Sequence, residues 1–214
     1  MIQRLVCLFV GYLFGLFQTG YFVGLIKHRD IRKYGSGNSG TTNAMRVLGK
    51  KAGCIVFVGD FLKCIAACAV VRWAAPKLGY SDEQMVLMLY AGLGCVLGHN
   101  FPFYLNFKGG KGIAASWALS MMVDWRLGLV SIVVFIVVLT LTKYVSLASM
   151  LGTTSYIVVW WVFMSEHNPE FGSLLIVITI LAILRHKDNI QRLIHGTEHK
   201  VGQKGKHPEE KLDE

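Results

Sequence analysis

Three polar stretches interrupt an otherwise apolar chain, and each carries residue types that suit a phosphate. The first is IRKYGSGNSGTTNAMRVLGKKAG, residues 31–53. In it Gly35, Gly37 and Gly40 alternate with Ser36, Asn38, Ser39, Thr41, Thr42 and Asn43 ahead of Arg46. Glycine tolerates positive φ and lets backbone N–H groups come close to a ligand. Small hydroxyls and amides add donors, and an arginine can fork onto phosphate oxygens. A flexible linker between two spans would also be rich in Gly and Ser, but linkers rarely set so many distinct donors beside an arginine. Ser36, Gly37, Asn38, Asn43 and Arg46 are therefore the candidate contacts in this stretch.

The second stretch, GHNFPFYLNFKGGKGIAAS (98–116), places Lys108, Gly109, Gly110, Lys111 and Gly112 directly before an apolar helix. Glycines leading into a helix N-terminus hold phosphate through N–H groups and the helix dipole. A basic turn that only sets topology is the alternative. No G-x-x-x-x-G-K-[ST] occurs anywhere, which disfavours nucleotide hydrolysis. The third stretch, LRHKDNIQRLIHGTEHKVG (184–202), repeats His186, Asn189, Arg192 and Leu193 at helical spacing, so one face can aim polar groups at a shared cavity. HGTEH (195–199) lacks the H-E-x-x-H spacing and a third ligand; no metal and no other cofactor is expected. Two further features lie in apolar runs. Asp60 and Lys63, at i,i+3, read as a structural pair near an interface. Ser146 and Ser149 open a span beside Lys143, where Ser146 is a candidate phosphate contact and helix packing is the simpler use.

These residues must be positioned by helices in a membrane. The chain has 214 residues, 22 Lys and Arg against 13 Asp and Glu, a net charge of +9, and yet is 53% hydrophobic. A basic soluble protein would not combine these, and a nucleic-acid binder is a poor account of the charge, because membrane proteins concentrate Lys and Arg in cytoplasmic loops. Four prolines, and 23 glycines without a three-residue period, exclude a collagen-like or disordered chain. The five cysteines, Cys7, Cys54, Cys64, Cys68 and Cys95, all sit in apolar runs without C-x-x-C and read as buried small hydrophobes. The first apolar run lacks an A-x-A-like site and is expected to be a retained helix.

Apolar runs at 5–26, 53–75, 85–105, 127–142, 145–165 and 172–184 are candidate spans, with a short one at 113–123. Seven cations in 27–52 and seven from Arg185 onward place both stretches in the cytoplasm, so an even number of crossings separates them. Counting 113–123 satisfies this and puts Lys108, Lys111 and Lys143 inside, leaving Asp82, Glu83, Asp124, Glu166 and Glu170 outside. The expectation is an all-α polytopic membrane protein of about seven transmembrane helices, one of them short, N-terminus outside and C-terminus cytoplasmic. A five-span arrangement with 113–123 and one other segment re-entrant is the alternative. Residues 1–199 form one domain, and 200–214 a charged, disordered tail.

Together, GSGNSGTTNAMR, GHNFPFYLNFKGGKGIA and RHKDNIQRLIHGTEH, in this order, closely resemble the bacterial glycerol-3-phosphate acyltransferases that use acyl phosphate, the PlsY family. The resemblance covers residues 1 to about 200. It implies a seven-span inner-membrane enzyme of phospholipid biosynthesis with its motifs facing the cytoplasm. Such an enzyme transfers a fatty acyl group from acyl phosphate to the 1-hydroxyl of sn-glycerol 3-phosphate, giving lysophosphatidic acid and phosphate. It further implies Ser36 and Arg46 as essential residues of the first motif and Gly109, Gly110, Lys111 and Gly112 as the glycerol-3-phosphate loop. His186 and Asn189 match the polar pair of the third motif, and Glu198 a structural glutamate. A soluble enzyme supplying acyl phosphate is the implied protein partner. Thr41, Asp188 and Cys64 stand where the family more often has Ala, Glu and Gly; the last bears on packing beside Lys63, not on the chemistry.

The residue types suit such a reaction. Two phosphates need Arg46, Lys111 and Lys108 as counter-charges. An acyl phosphate brings its own good leaving group, so positioning and oxyanion stabilisation matter more than strong base catalysis. Ser36 and Asn189 are donors for that purpose, while the base is either His186 or the substrate's own phosphate. No histidine has Asp five positions on, so the H-x-x-x-x-D of soluble acyltransferases is missing. A CDP-alcohol phosphotransferase would need clustered intramembrane aspartates, and only Asp60 lies within a span. A transporter for an organic phosphate would place polar groups at mid-depth in repeated halves, and no internal repeat is evident.

Overall fold

In a computed structural model, which describes residues 1–164 and 167–202, all regular structure is helical. Ten α-helices follow in order: α1 (Ile2–Gly15), α2 (Thr19–Ile26), α3 (Thr41–Leu48), α4 (Lys50–Lys77), α5 (Gln84–Asn100), α6 (Ile113–Val123), α7 (Trp125–Thr142), α8 (Val145–Phe163), α9 (Pro169–Arg185) and α10 (Lys187–Ile194). Among the described residues, five segments are long and apolar enough to cross a membrane, or six if α9 and α10, bent by 59°, count as one. Glu166, expected among the outer acids, lies outside the described residues. So does the expected tail from 203 onward.

The first expected span is one apolar run broken at Leu16–Gln18 into α1 and α2. Two G-x-x-x-G patterns explain how α1 docks. Gly11 and Gly15 on α1 face α5, whose Gly94 and Gly98 face back. A Cβ on any of the four would strike backbone of the other helix. Small residues at this spacing let helix backbones approach closely where lipid supplies no hydrophobic drive. Side-chain caps set other boundaries. Asn168 accepts from Glu170 N and Phe171 N ahead of Pro169 at the start of α9. Asp124 ends α6 and caps α7 through Arg126 N.

The core runs between α4, α5, α6, α8 and α9 and includes Cys64, Cys68 and Cys95. Two cysteines depart from expectation: Cys7 is only half-buried, packed against the edge of the core, and Cys54 is exposed.

Contacts sort the connections into two ends. At one, Arg4 pairs with Glu83 (2.6 Å) and Glu170 (2.5 Å), and Arg126 donates to Phe163 O (2.7 Å). At the other, Arg185 donates to Gly110 O and Val201 N to Lys143 O. Helix α6 therefore runs from the second end, at Gly112, to the first, at Asp124. Its 11 residues span only about 16 Å, against about 27 Å for the 18-residue α7 packed beside it. Sharing the Asp124 end, the two leave the N-terminal head of α6 about 10 Å short of the C-terminal end of α7. The glycine stretch leads into that recess as it enters α6.

Candidate active site

The first polar loop is built on Asn43, in the opening turn of α3 and 2% exposed. Its Nδ2 donates to Ile31 O (2.9 Å), Tyr34 O (3.1 Å) and Asn38 O (2.8 Å), while its Oδ1 accepts from Ser36 N (2.9 Å). Asn38 Oδ1 accepts from Gly40 N, and Gly37 N donates to Tyr34 O. Asn43 and the Gly37 amide, expected to touch a ligand, here hold the loop, as does the Asn38 side-chain carbonyl. What the loop presents is Ser36, exposed at its crest. Arg46 lies one turn beyond Asn43, half-buried and without an ion pair among the described residues. Burial lowers its pKa; Glu198 opposes this and Arg192 adds to it, so Arg46 faces both.

The second loop is also held by its own backbone. Gly109 N donates to Asn100 O (3.2 Å) and Gly110 N to His99 O (3.0 Å). The carbonyls of Gly109 and Gly110 accept from Arg185, whose guanidinium also lies over the Phe101 ring at 5.0 Å. The amides of Gly109 and Gly110, expected to cradle phosphate, thus bond to Asn100 O and His99 O. The uncommitted amides come next. The first bond of α6 runs from Ser116 N to Gly112 O, leaving the N–H groups of Ile113, Ala114 and Ala115 without an intrahelical partner. Gly112, at φ +76°, makes the turn that aims them into the recess. Asn100 is fully buried with its amide unpaired among the described residues and its Oδ1 toward Gly112. Lys108 is exposed and stands apart from this cluster.

The third stretch closes the recess. Gly196 turns the chain after α10 so that Glu198, 9% exposed, reaches back. Its carboxylate accepts from Ser146 Oγ (2.9 Å), Asn189 Nδ2 (2.7 Å) and Arg192 Nε (2.7 Å). Lys111 Nζ donates to Asn189 Oδ1. Lys111, Asn189, Glu198, Ser146 and Arg192 thus form one connected network joining the glycine loop, α8 and α10. Burial would raise the Glu198 pKa, but the hydrogen bonds from Asn189, Arg192 and Ser146 outweigh it and hold it low. With Arg192 paired to Glu198, Arg46 and Lys111 are cations of this cluster without an ion pair among the described residues.

Two titrations are shifted into a functional range. Burial lowers the Lys111 pKa to about 8, against the attraction of Glu198. Burial, aided by Lys111, pushes His186 down to about 4. His186 Nδ1 lies 2.7 Å from Ala182 O. A carbonyl only accepts, so the proton sits on Nδ1 and the lone pair on Nε2.

The structure thus brings together Arg46, Lys111, Gly112, Ser146, His186, Asn189 and Glu198; Ser36 is exposed on the first loop, its amide bonded to Asn43. Asp60 and Lys63 pair at 2.9 Å away from this cluster, inside the bundle. Sequence reasoning missed Arg185 and His99. Arg185 reads as a topological cation, and His99 as a lone histidine on an apolar helix; the only signal was adjacency to His186 in one case and to the glycine stretch in the other.

The family model for glycerol-3-phosphate acyltransferase matches residues 5–196. The chain belongs to the glycerol-3-phosphate acyltransferase family. Relatives of that name include one from Thermoanaerobacter sp. (strain X514), 40% identical over 91% of this chain and 94% of the relative. Another, from Prochlorococcus marinus (strain NATL1A), is 38% identical over 94% of this chain and 100% of the relative. Among solved structures, PlsY, an integral membrane glycerol 3-phosphate acyltransferase in its glycerol 3-phosphate form, is similar with a TM-score of 0.82. It is 36% identical, over 93% of this chain and 96% of PlsY. Its lysophosphatidic acid form gives a TM-score of 0.79. This acyltransferase is accordingly a multi-pass membrane enzyme.

Proposed function

We propose that the chain transfers a fatty acyl group from acyl phosphate to the 1-hydroxyl of sn-glycerol 3-phosphate, releasing lysophosphatidic acid and phosphate. The observation that carries it is the recess at the head of α6, where Lys111 and Arg46 stand beside hydrogen-bond donors and form no ion pair among the described residues. Lys111 and the free amides of α6 hold the glycerol 3-phosphate. Ser36 and Arg46 take the phosphate of the donor, whose acyl chain lies in the bilayer around the bundle.

In the transfer, the 1-hydroxyl oxygen attacks the acyl carbonyl carbon, the bond from that carbon to the phosphate oxygen breaks, and phosphate leaves. Asn189 and Ser36 are the side-chain donors for the developing negative charge. The hydroxyl proton must go to a base. His186 presents its Nε2 lone pair and can orient the hydroxyl, but a pKa of about 4 makes it a weak acceptor. A phosphate monoester, with a second pKa of about 6, is the stronger one. The proton therefore passes to a substrate phosphate oxygen, which leaves His186 a positioning role.

The same reading makes residues 1–199 one acyltransferase domain and places the recess at the cytoplasmic face of the bacterial inner membrane. There the basic stretch 27–52 and the cations from Arg185 onward come together, and glycerol 3-phosphate arrives from water. A soluble enzyme that makes acyl phosphate is the corresponding partner. Lys111→Ala tests the glycine loop: the variant should raise KM for glycerol 3-phosphate by about tenfold or more, the loss of one charge-assisted contact. An unchanged KM would detach Lys111 from that substrate.

A further inference from the structure

Outside the recess, a second polar centre is buried between α1, α2, α4 and α5. Lys63 Nζ lies 2.9 Å from Asp60 Oδ1, 2.8 Å from His99 Nδ1, 2.7 Å from Phe17 O and 3.3 Å from Gly15 O. The two carbonyls belong to the break in the first span, where the helix stops supplying its own hydrogen bonds. Thr19, which opens α2, donates to Asp60 Oδ1 (3.2 Å). Gln18, in the break, donates to Gly15 O, Gly98 O and His99 O and accepts from Ser39 Oγ of the first polar loop. An ion pair inside a membrane protein is expensive, and an apolar replacement would fill the space without satisfying those carbonyls.

His99 connects this centre to the second loop. An ammonium has only donors, so Nδ1 accepts from Lys63 and the ring proton sits on Nε2. The ring occupies the space where a Cβ on Gly110 would lie, and His99 O takes the Gly110 amide. The next residues are Lys111 and the head of α6. One buried centre thus touches the glycine loop through His99 and the Ser-Gly loop through Gln18 and Ser39.

We propose that Asp60, Lys63 and His99 are positioning residues for the acyl transfer. On this view they set the height and register of the two phosphate loops against each other without touching either substrate. The proposal rests on the acyltransferase reading, and only Asp60 and Lys63 were foreseen, as a pair serving the fold alone.

The test uses the full chain, purified in detergent, with glycerol 3-phosphate and palmitoyl phosphate as probes. His99→Asn keeps an acceptor for Lys63 but removes the ring beneath Gly110. It should raise KM for glycerol 3-phosphate about tenfold or more, as misplacement of a substrate-holding group does, and leave KM for palmitoyl phosphate within about twofold. Asp60→Asn combined with Lys63→Met removes both charges together, so that no unpaired charge stays buried. This variant should raise both KM values, since both loops lose their anchor. A centre that serves only the fold would lower the melting temperature of these variants and leave both KM values of the folded protein unchanged; that result overturns the proposal. Wild-type protein that neither binds nor acylates glycerol 3-phosphate would overturn the functional reading itself, and this proposal with it.

Discussion

Lys111 is the residue whose chemistry is most exposed to pH. Its pKa, lowered by burial to about 8, leaves the ammonium intact below that value and removes the charge as pH rises through it. The kcat/KM for glycerol 3-phosphate should therefore fall above about pH 8, approaching tenfold per unit. Arginine stays charged throughout this range, so Lys111→Arg should flatten the alkaline limb; a limb that persists in the variant assigns it to another group. That Arg46, Lys111, His186 and Asn189 come together was legible in the sequence because glycine, small donors and cations cluster there without a linker's monotony. The fate of Asn43 and of the Gly109 and Gly110 amides was not legible. Their acceptors, Ile31 O, Tyr34 O, Asn100 O and His99 O, come into reach only when the loops fold onto them. Arg185 was missed for the same reason: the carbonyls it clamps lie 75 and 76 positions away in sequence.

Among the elements, α6 and the α1–α5 pair do most to create the site. Hydropathy located every apolar segment, including the short one, but counted helices only by length. It could not say that an 11-residue α6 makes a recess by ending short of its neighbours. The two G-x-x-x-G patterns stood in the sequence, but which helices they join is a tertiary fact. Their facing glycines predict a cost. A branched side chain at Gly94 would run into the Leu8 carbonyl of α1. Gly94→Ile should lower stability by about 1–3 kcal/mol or more, the cost of overpacking, measured as a fall in the melting temperature of detergent-purified protein. An unchanged melting temperature would mean that α1 and α5 can separate freely. The break between α1 and α2 had one sequence signal, Gln18 amid apolar residues. The partners that make a break tolerable, Lys63 and His99, come from two other helices.

For the whole molecule, the combination of +9 charge with 53% hydrophobic residues has two sources. The cations of 27–52, Lys111, Lys143 and Arg185 meet at one end of the bundle, as charge parity expects of a cytoplasmic face. At that end Arg46 and Lys111 also enter the recess proposed to take phosphate. On the proposed function topology and catalysis draw on the same residues, which is why composition alone could not separate them. The central claim is that an activated acyl phosphate, not a thioester, donates to glycerol 3-phosphate in this recess. Purified protein should be given labelled glycerol 3-phosphate with either palmitoyl phosphate or palmitoyl-CoA, and no added metal. Labelled lysophosphatidic acid should form with palmitoyl phosphate and not with palmitoyl-CoA; product from the CoA ester alone would contradict the account.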